Sequence, residues 1–427
     1  MKHLTLIWLA AGLLSAAACT VPGVSYPPSS PWLPGNEYFV FVDGVHGSPA
    51  GDGTKEFPLD DVQDGITTAA AAGKDVCVAK GNYAFTYVLE MVEGVSLYGA
   101  YENNNGVWTR DFLKNTTSLA NVSFGQPGNV TVNCGSTLTR TTVLEGFTIN
   151  GSCNDSGLAV AVFISGSPTI ASNDIVGWTG SPADVQETRA VYCDSPGFAI
   201  PDPHLEGNFI VGGFARTATY SLYFSHADGL IEDNIIHGNT SIASGPQTSC
   251  GIYLDHANPR LEGNIINGGN MSTFAKGVSC AEGSAPEIVD NHITGGDSDN
   301  WNAAVILSES SPLIDSNFIN GGTGSSASSA FCISVGMDSY PEITGNELQC
   351  TGGGDRRGIY EATTTGDPAH VVSNVFHTSL LAGPVSGYYY TQVLATFTYH
   401  ASTIVDVNAL DENGYNAPFT VYGNTEN

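Results

Sequence analysis

A run of the form Pro-x-[Ile/Leu]-x-x-Asn-x-[Ile/Leu] recurs along this chain, and it constrains the fold more than any other feature. Six copies start at a proline, and a seventh starts at Gly229. Successive asparagines of these copies lie 26 to 35 residues apart. A period in this range is typical of stacked supersecondary units rather than of one globular core. The asparagines are Asn173, Asn208, Asn234, Asn264, Asn291, Asn317 and Asn346, with a degenerate eighth copy around Asn374.

The repeat predicts β structure. Its apolar positions lie three residues before and two after the Asn, an offset that breaks the alternation of one continuous strand. Two short strands on either side of a sharp corner explain the offset. We place the Asn at that corner, because Asn tolerates the left-handed conformation and its amide bonds neighbouring backbone. Stacked corners would bring successive amides to about 4.8 Å, each donating to the next. Other short apolar runs between the corners give about three strands to each coil.

This pattern resembles the right-handed parallel β-helix (pectin-lyase-like) superfamily, over roughly residues 94–376. The resemblance implies an all-β fold made of a single right-handed parallel β-helix. Residues 38–101 resemble the opening of a family of exported β-helix lipoproteins common in myxobacteria, through the runs FVFVD, GDGTKEFP, VCVAKGNY and VSLYGAY. In that family a short helix, here around residues 61–72, would cap the first coil, since a bare strand edge invites aggregation. The aromatic-rich residues 388–427 would form an irregular cap at the other end.

The N-terminus, MKHLTLIWLAAGLLSAAACT, has a basic start, an apolar run and a small-residue exit, which predicts an export signal over residues 1–18. It resembles a bacterial lipoprotein signal with acylation at Cys19, although Ala16 stands where that family usually has Leu. The resemblance implies an outer-membrane or cell-surface location. Ordinary cleavage and secretion, with Cys19 pairing elsewhere, is the alternative. A Pro- and Ser-rich tether follows over residues 19–36, then the cap and first coils over 37–101 and the repeats over 102–387.

Eight further cysteines follow Cys19, and an exported chain with an even count permits up to four disulfides. Sequence proximity favours the pairs Cys134–Cys153 and Cys332–Cys350. No CxxC pair occurs, so a zinc ribbon is not supported.

The chain is strongly acidic, with 42 acids against 13 bases and a formal net charge of −29. Such a surface repels the phosphate backbone, which argues against a nucleic-acid partner. Contact with a membrane is expected only through an N-terminal lipid, and the chain is expected to be a monomer.

Polar side chains follow the short strand that precedes each repeat motif. His226 and His256 both lie eight residues before their Asn, so they should stack on neighbouring coils within about 5 Å. Carboxylates placed this closely repel one another unless a cation lies between them. The pattern therefore suggests a stripe that binds calcium or a sugar, with the calcium at Asp194, Asp255 and Glu282. A solvated corner that keeps the protein soluble is the alternative interpretation.

Aromatic side chains are a second indication of sugar binding, because rings pack on the apolar faces of pyranoses. Trp178 and Trp301 are predicted in variable loops after the repeat motif, where a solenoid keeps binding residues, although each could equally cover the side of the coil. Tyr192, Tyr223 and Tyr253 recur on successive strands and are predicted to form an internal stack.

Three bases, Arg189, Lys276 and Arg357, each begin one of these strands. A base beside carboxylates suits β-elimination at an acidic sugar, and ordinary salt pairing explains the same residues. No complete catalytic constellation is visible. The first hypothesis is therefore a surface-anchored β-helix that binds polysaccharide or an envelope component without catalysis. A polysaccharide lyase or glycoside hydrolase is the second, and a structural or adhesive stalk is the third.

Overall fold

The structure is a computed structural model that describes residues 35–427 apart from 124–129, 154–155, 181–184, 196, 198, 240–246, 323–328, 337, 353, 362–369, 382–386, 394–396, 402–419, 423 and 427. One α-helix, α1 (Val62–Ala72), lies near the start, and a 3-10 helix spans Thr378–Leu381. All other elements of the described chain are strands. The first half of the chain contains β1 (Phe39–Val42), β2 (Asp75–Ala79), β3 (Gly81–Phe85), β4 (Leu89–Glu90), β5 (Leu97–Asn104), β6 (Val107–Arg110), β7 (Thr117–Asn121), β8 (Val132–Cys134), β9 (Val143–Glu145), β10 (Thr148–Asn150), β11 (Ser152–Cys153), β12 (Leu158–Ile164), β13 (Thr169–Ala171), β14 (Asp174–Trp178), β15 (Glu187–Asp194), β16 (His204–Glu206), β17 (Phe209–Gly213) and β18 (Ala218–Ser225).

The second half continues with the same order of short strands. It contains β19 (Leu230–Glu232), β20 (Ile235–Asn239), β21 (Thr248–Asp255), β22 (Arg260–Glu262), β23 (Ile265–Ala281), β24 (Glu287–Val289), β25 (His292–Thr294), β26 (Asp297–Leu307), β27 (Leu313–Asp315), β28 (Phe318–Asn320), β29 (Ser329–Val335), β30 (Glu342–Thr344), β31 (Glu347–Gln349), β32 (Asp355–Glu361), β33 (His370–Val372), β34 (Val375–Phe376), β35 (Gly387–Val393), β36 (Phe397–Ala401), β37 (Thr420–Tyr422) and β38 (Thr425–Glu426).

Apart from β6, β11 and β36, which pair antiparallel with their neighbours in sequence, these strands form three parallel sheets in which each strand pairs with the equivalent strand of the next coil. Sheet A runs β1-β2-β5-β9-β13-β16-β19-β22-β24-β27-β30-β33-β37. Sheet B contains the strand after each asparagine, for example β14-β17-β20, and sheet C contains the long strand that follows, for example β15-β18-β21. The long strand β23 bends from sheet B into sheet C. The predicted single right-handed parallel β-helix is confirmed.

The core of the coil is built from columns of identical or similar apolar side chains. Ile170, Leu205, Ile231, Leu261 and Ile288 are consecutive members of the sheet A column, and each is fully buried. Each buried aliphatic side chain stabilises the fold by about 1.5–3 kcal/mol before entropy is subtracted. The repeat therefore folds as a stack because no single coil can cover its own column.

The asparagine ladder is confirmed, and the conformation of its corner differs from the prediction. Nδ2 of Asn208 donates to Oδ1 of Asn234 at 2.9 Å, and Nδ2 of Asn234 donates to Oδ1 of Asn264 at 3.0 Å. The left-handed residue is the one that precedes the Asn, as in Asp233 with φ 54°. The Asn itself contributes its amide, which satisfies backbone groups that the sharp corner leaves without a ladder partner.

Helix α1 covers the first coil as predicted. Asp61 is its N-cap, accepting from the backbone N–H groups of Gln63 and Asp64, and Gly73 ends it in the left-handed conformation with φ 63°. The buried side chains of Val62 and Ile66 face β1 and β2. Within the described residues, no helix is both long enough and apolar enough to cross a membrane. Cys19 and nearly all of the predicted tether lie outside the described residues.

The described part of the C-terminal segment continues the sheets of the coil. β35 extends sheet C by pairing in parallel with β32, and β36 pairs antiparallel with β35. The chain then returns to the stack, since β37 extends sheet A and β38 extends sheet B. Asn424 lies between them and accepts from the backbone N–H of Asn374 at 2.8 Å. The ladder therefore gains one further asparagine within residues 388–427.

The disulfide prediction is wrong. All eight cysteines after Cys19 are buried, and no two of them lie at disulfide distance. Cys134 lies in the central core and Cys153 in a separate cluster, while the side chains of Cys332 and Cys350 are hydrogen-bonding neighbours without a disulfide between them. Burial raises the pKa of the Cys134 thiol to about 12, as it does for Cys77 and Cys250. These cysteines therefore act as small apolar core residues.

Candidate functional site

The outer surface of sheet C carries a group of five rings, which we call the aromatic face. The strand alternation explains its position. Tyr192 stands between Val191 and Cys193, which are fully buried, so its ring points away from the core. The same alternation places Phe163, Tyr223 and Tyr253 outside on the neighbouring coils. Tyr220 lies three residues before Tyr223, across a break in the alternation at Ser221 and Leu222, and all five rings are partly exposed. The aromatic face consists of Phe163, Tyr192, Tyr220, Tyr223 and Tyr253.

The predicted internal tyrosine stack is therefore wrong in its location, although the stacking itself is present. The rings of Tyr192 and Tyr223 lie 5.5 Å apart at 90°, and those of Tyr223 and Tyr253 lie 4.8 Å apart at 34°. Tyr220 contacts both Tyr223 and Tyr253, at 5.2 Å and 5.4 Å. Each ring pair contributes about 0.5–1.5 kcal/mol beyond its buried area, so the platform is held rigidly in place.

The phenols of the aromatic face stay protonated near neutral pH. Burial, and after it the carboxylate of Asp194, which accepts the Tyr192 hydroxyl at 2.8 Å, raise the pKa of Tyr192 to about 12. Burial likewise raises the pKa of Tyr253 to about 12. These hydroxyls are therefore neutral hydrogen-bonding groups beside flat apolar rings, which suits contact with an uncharged polar ligand.

Arg189 lies inside the aromatic face rather than at a reactive position. Its guanidinium lies 3.6 Å from the ring centre of Tyr223 and 4.3 Å from that of Tyr192. Nε also donates to Glu187 at 2.6 Å, and the Arg189 side chain is only 15% exposed. Burial opposes the charge on Arg189, but the Glu187 carboxylate outweighs it and raises the pKa of the guanidinium. Arg189 thus supports the tyrosine rings as a paired cation.

A second group of rings, the distal aromatic group, continues along the same surface. Trp301 lies inside β26 and not in a loop, and its ring is 5.1 Å from that of Phe274 and 6.2 Å from that of Phe331. Lys276 lies 5.9 Å from the Trp301 ring, and Arg357 lies over Phe331 and Tyr360. The distal aromatic group consists of Phe274, Trp301, Phe331 and Tyr360.

Trp178 has a different position from Trp301. It is the last residue of β14, so the predicted loop location is wrong here too. Its ring packs against the buried cluster of Cys153, Ala159, Val185 and Ala215. Trp178 therefore covers the side of the coil, which was the alternative interpretation.

The corner that follows sheet C carries the polar residues singled out from the sequence. The register aligns Asp194 with Ser225, Asp255 and Ala281 on successive coils. Asp194 and Asp255 are thus two coils apart, about 9.6 Å by strand spacing. A calcium ion held jointly by Asp194, Asp255 and Glu282 does not agree with this register, since only the last two lie on neighbouring coils.

His226, His256 and Glu282 occupy the next position along the corner, one on each of three successive coils. All three have left-handed backbone, with φ 49°, 49° and 48°. The imidazoles of His226 and His256 are 4.8 Å apart and nearly parallel, at 6°, which confirms the predicted stacking. Nδ1 of His256 lies 2.7 Å from Oδ1 of Asp255, and Nδ1 of His226 lies 3.0 Å from Oγ of Ser225. Asp255, His256 and Glu282 each offer one ligand atom within 4.8 Å of the others.

The assembled surface thus has flat rings in the middle and carboxylates and imidazoles along one edge. Rings can stack on the apolar faces of sugars, while the edge groups and the phenols can bond hydroxyls. The edge of carboxylates and imidazoles, and Trp301, could be predicted from the sequence. It missed Tyr220, Phe274, Phe331 and Tyr360 as surface residues, although each occupies an outward position of its strand.

Comparison with known proteins gives distant structural neighbours and no sequence match. No protein-family model and no curated protein sequence matches this chain. Among solved structures, the A-module of Azotobacter vinelandii mannuronan C-5 epimerase AlgE4 has a TM-score of 0.49 at 15% identity, covering 90% of this chain and 99% of that one. The Dettilon tailspike protein has a TM-score of 0.48 at 13% identity, covering 82% and 68%. The Streptococcus pneumoniae surface protein and adhesin PfbA has 0.41 at 13%, covering 78% and 95%.

Proposed function

We propose that this protein binds a polysaccharide on the outer surface of sheet C without cleaving it. The observation that carries the proposal is the aromatic face, whose rings are stacked on successive coils at 4.8–5.5 Å and remain partly exposed. A row of rings parallel to the coil axis offers repeated stacking positions to a repeating ligand. The carboxylate of Asp255 and the imidazoles of His226 and His256 supply hydrogen-bonding groups along its edge.

Binding without cleavage is favoured by the chemistry of the same residues. The tyrosine phenols have raised pKa values, so they are poor proton acceptors at neutral pH. Arg189, the basic residue closest to them, is already paired with Glu187. A lyase or a hydrolase needs a base and an acid directed at one bond of the substrate. Here Arg189 is paired with Glu187, and the Tyr192 hydroxyl donates to Asp194.

The central ring, Tyr223, provides the test. Replacing Tyr223 with alanine removes the ring that contacts Tyr192, Tyr220 and Tyr253, so we expect affinity for the bound glycan to fall about tenfold or more. Tyr223→Phe keeps the ring and should retain most of the affinity. The glycan is first selected on a glycan array, and affinities are then measured by calorimetry.

Phe209→Ala is the matched control, because Phe209 is a partly exposed ring on sheet B, far from the aromatic face in the coil cross-section. Equal affinity of the parent chain and Tyr223→Ala would contradict the proposed surface. New absorbance from unsaturated uronates, or release of reducing ends from the bound glycan, would instead support the enzyme hypothesis.

We further propose that the chain is exported and anchored through acylated Cys19, on the strength of the N-terminal pattern alone. Cells fed a fatty-acid probe should label the parent chain, and Cys19→Ala should lose the label. Equal labelling of the two would leave ordinary secretion as the better explanation.

A further inference from the structure

We propose that Asp255, His256 and Glu282 form a binding site for a divalent transition-metal ion, of which zinc is the type, with His226 beside it. Asp255 ends β21, His256 follows it at the corner, and Glu282 occupies the equivalent corner position on the next coil. One ligand atom from each of the three residues lies within 4.8 Å of the other two. The site shares Asp255 and His256 with the edge of the proposed glycan surface, but its test measures metal binding in the absence of glycan, so the two proposals can fail separately.

One ring nitrogen of each imidazole is held by a hydrogen bond to the residue before it. Nδ1 of His256 is bonded to the Asp255 carboxylate and Nδ1 of His226 to the Ser225 hydroxyl, at 2.7 Å and 3.0 Å. For His226 this is the usual arrangement of a metal-binding histidine, in which one ring nitrogen is held and the other faces the metal. For His256 the bonded carboxylate is itself a proposed ligand, so the metal ion would take the place of the proton between Nδ1 and Asp255. Among the residues that the structure describes, neither Nε2 has a hydrogen-bond partner. The two rings are parallel within 6°, so their free edges lie on neighbouring coils of one corner.

The charges at this corner favour a cation. Asp255 and Glu282 lie close together, and in the described part of the chain their one ion-pair partner is His256, which is charged only when protonated. Two neighbouring carboxylates without a permanent cation repel each other, and a divalent ion removes that repulsion. The side chains of His256 and Glu282 are exposed, so an ion reaches them without opening the fold.

The donor set selects the class of metal. Calcium takes six to eight oxygen ligands, whereas imidazole nitrogen with carboxylate oxygen is typical of zinc and its first-row neighbours. Two donors at about 2.1 Å from a tetrahedral zinc are about 3.4 Å apart, so the present spacing of up to 4.8 Å must close by at most about 1.4 Å. Side-chain rotation at an exposed corner supplies that movement.

A second group of donors on sheet A serves as the comparison. His204, Glu206 and Glu232 also bring one ligand atom each within 4.8 Å. Nε2 of His204 is already bonded to Glu232 at 2.6 Å, and Arg260 at the equivalent position two coils on pairs in the same way with Glu287. Charge pairing between coils explains this group, so it makes a matched control.

The experiment is titration of the untagged, metal-stripped full chain with Zn²⁺ in a calorimeter. We expect one zinc per chain at the corner, with affinity about tenfold or more lower in His256→Asn and in Glu282→Gln. Asn is chosen at residue 256 because it tolerates the left-handed backbone, which keeps the corner folded. His204→Ala should leave the zinc affinity unchanged, and millimolar Ca²⁺ should not compete.

Each contrary result overturns the site. If the parent chain binds no zinc, or if His256→Asn and Glu282→Gln bind it as the parent does, the corner is not a metal site. Loss of affinity in His204→Ala alone would move the site to sheet A. Competition by Ca²⁺ at equal concentration would contradict a transition-metal preference. Circular dichroism of each variant checks that the β-helix is retained.

Discussion

Asn264 shows how one residue can hold three coils together. Its backbone N–H and its Nδ2 both donate to Oδ1 of Asn291, at 2.9 Å each, and Nδ2 also donates to the carbonyl of Ile231 at 2.8 Å. Oδ1 accepts from the backbone N–H and the Nδ2 of Asn234, at 3.0 Å each. The three asparagines are buried, so the backbone N–H of Asn234 would lack an acceptor if the Asn264 amide were absent.

Replacing Asn264 with alanine should therefore destabilise the fold strongly. A buried polar group that loses its partner costs about 1–3 kcal/mol. The substitution leaves the backbone N–H of Asn234 without its acceptor and removes three further hydrogen bonds of the ladder, so we expect a loss of about 3 kcal/mol. The measurement is the urea midpoint followed by circular dichroism. Asn104→Ala, at an exposed position at the end of β5, is the control and should change the midpoint little. Similar midpoints for the two variants would contradict the role given to the ladder.

At Asn264 and its equivalents, the sequence predicts the ladder but not which residue has the left-handed conformation. The spacing of the asparagines and their stacking could be predicted, because seven copies share one pattern. The left-handed position could not be placed correctly, since the residue before the Asn varies among Ser, Gly and Asp. All three are common at turns, so composition alone did not separate the corner residue from its neighbour.

At the scale of the strand, the decisive question is which side chains face out. Tyr223 was predicted inside because it recurs on successive strands, and recurrence is a property of both faces of a stacked strand. Leu222 and Phe224 on either side of it are fully buried, so alternation places Tyr223 outside. Counting from the most apolar pair in each strand would have found the aromatic face.

The register between neighbouring strands determined which contacts of the polar corner could be predicted from the sequence. His226 and His256 lie at equal distances from their asparagines, so their stacking followed from simple counting. Asp194 and Glu282 were grouped with Asp255 on looser spacing. The pairing of whole strands shows that Asp194 lies in the row of Asp255, whereas Glu282 lies in the row of His226 and His256. Coils of unequal length defeat such counting, because an insertion anywhere in the coil shifts the apparent position.

The scale of the element also explains the two errors at the C-terminus and in the cysteines. Asn424 follows Asn374 by 50 residues, because β36, which pairs antiparallel with β35, comes before the next strand of sheet A. A search at a period near 28 residues cannot find it. The disulfides were inferred from the cysteine count and the expected compartment, whereas Cys193 and Cys280 simply fill inward positions of their strands.

For the whole molecule, the repeat determines the fold and leaves the ligand open. Any sequence with inward aliphatic columns and corner asparagines builds this coil, which is why the architecture could be predicted from pattern alone. The outer surface is free to vary, and its chemistry depends on which outward positions carry rings and charges. The proposed ligand therefore has to be argued from the surface, and the strongest overall property of that surface is its charge.

The net charge of −29 predicts how glycan binding depends on salt. An acidic chain repels a polyanion over about 10 Å at 0.1 M salt, whereas stacking on neutral tyrosine rings carries no net charge and is not screened. Binding of a neutral polysaccharide should thus change little between about 20 mM and about 500 mM NaCl, while its carboxylated derivative should bind more weakly than the neutral parent at low salt and approach it at high salt.

Affinity electrophoresis in gels that contain carboxymethyl cellulose or hydroxyethyl cellulose measures both behaviours on one chain, and any neutral glycan found on the array can take the place of the latter together with its carboxylated form. Lys276 and Arg357 favour an acidic ligand, because both lie beside rings of the distal aromatic group. If these two bases dominate the surface, the carboxylated polymer will bind more tightly at low salt, and Lys276→Ala will abolish the difference. That outcome would replace the neutral ligand by an acidic one and move the binding surface from Tyr223 towards Trp301.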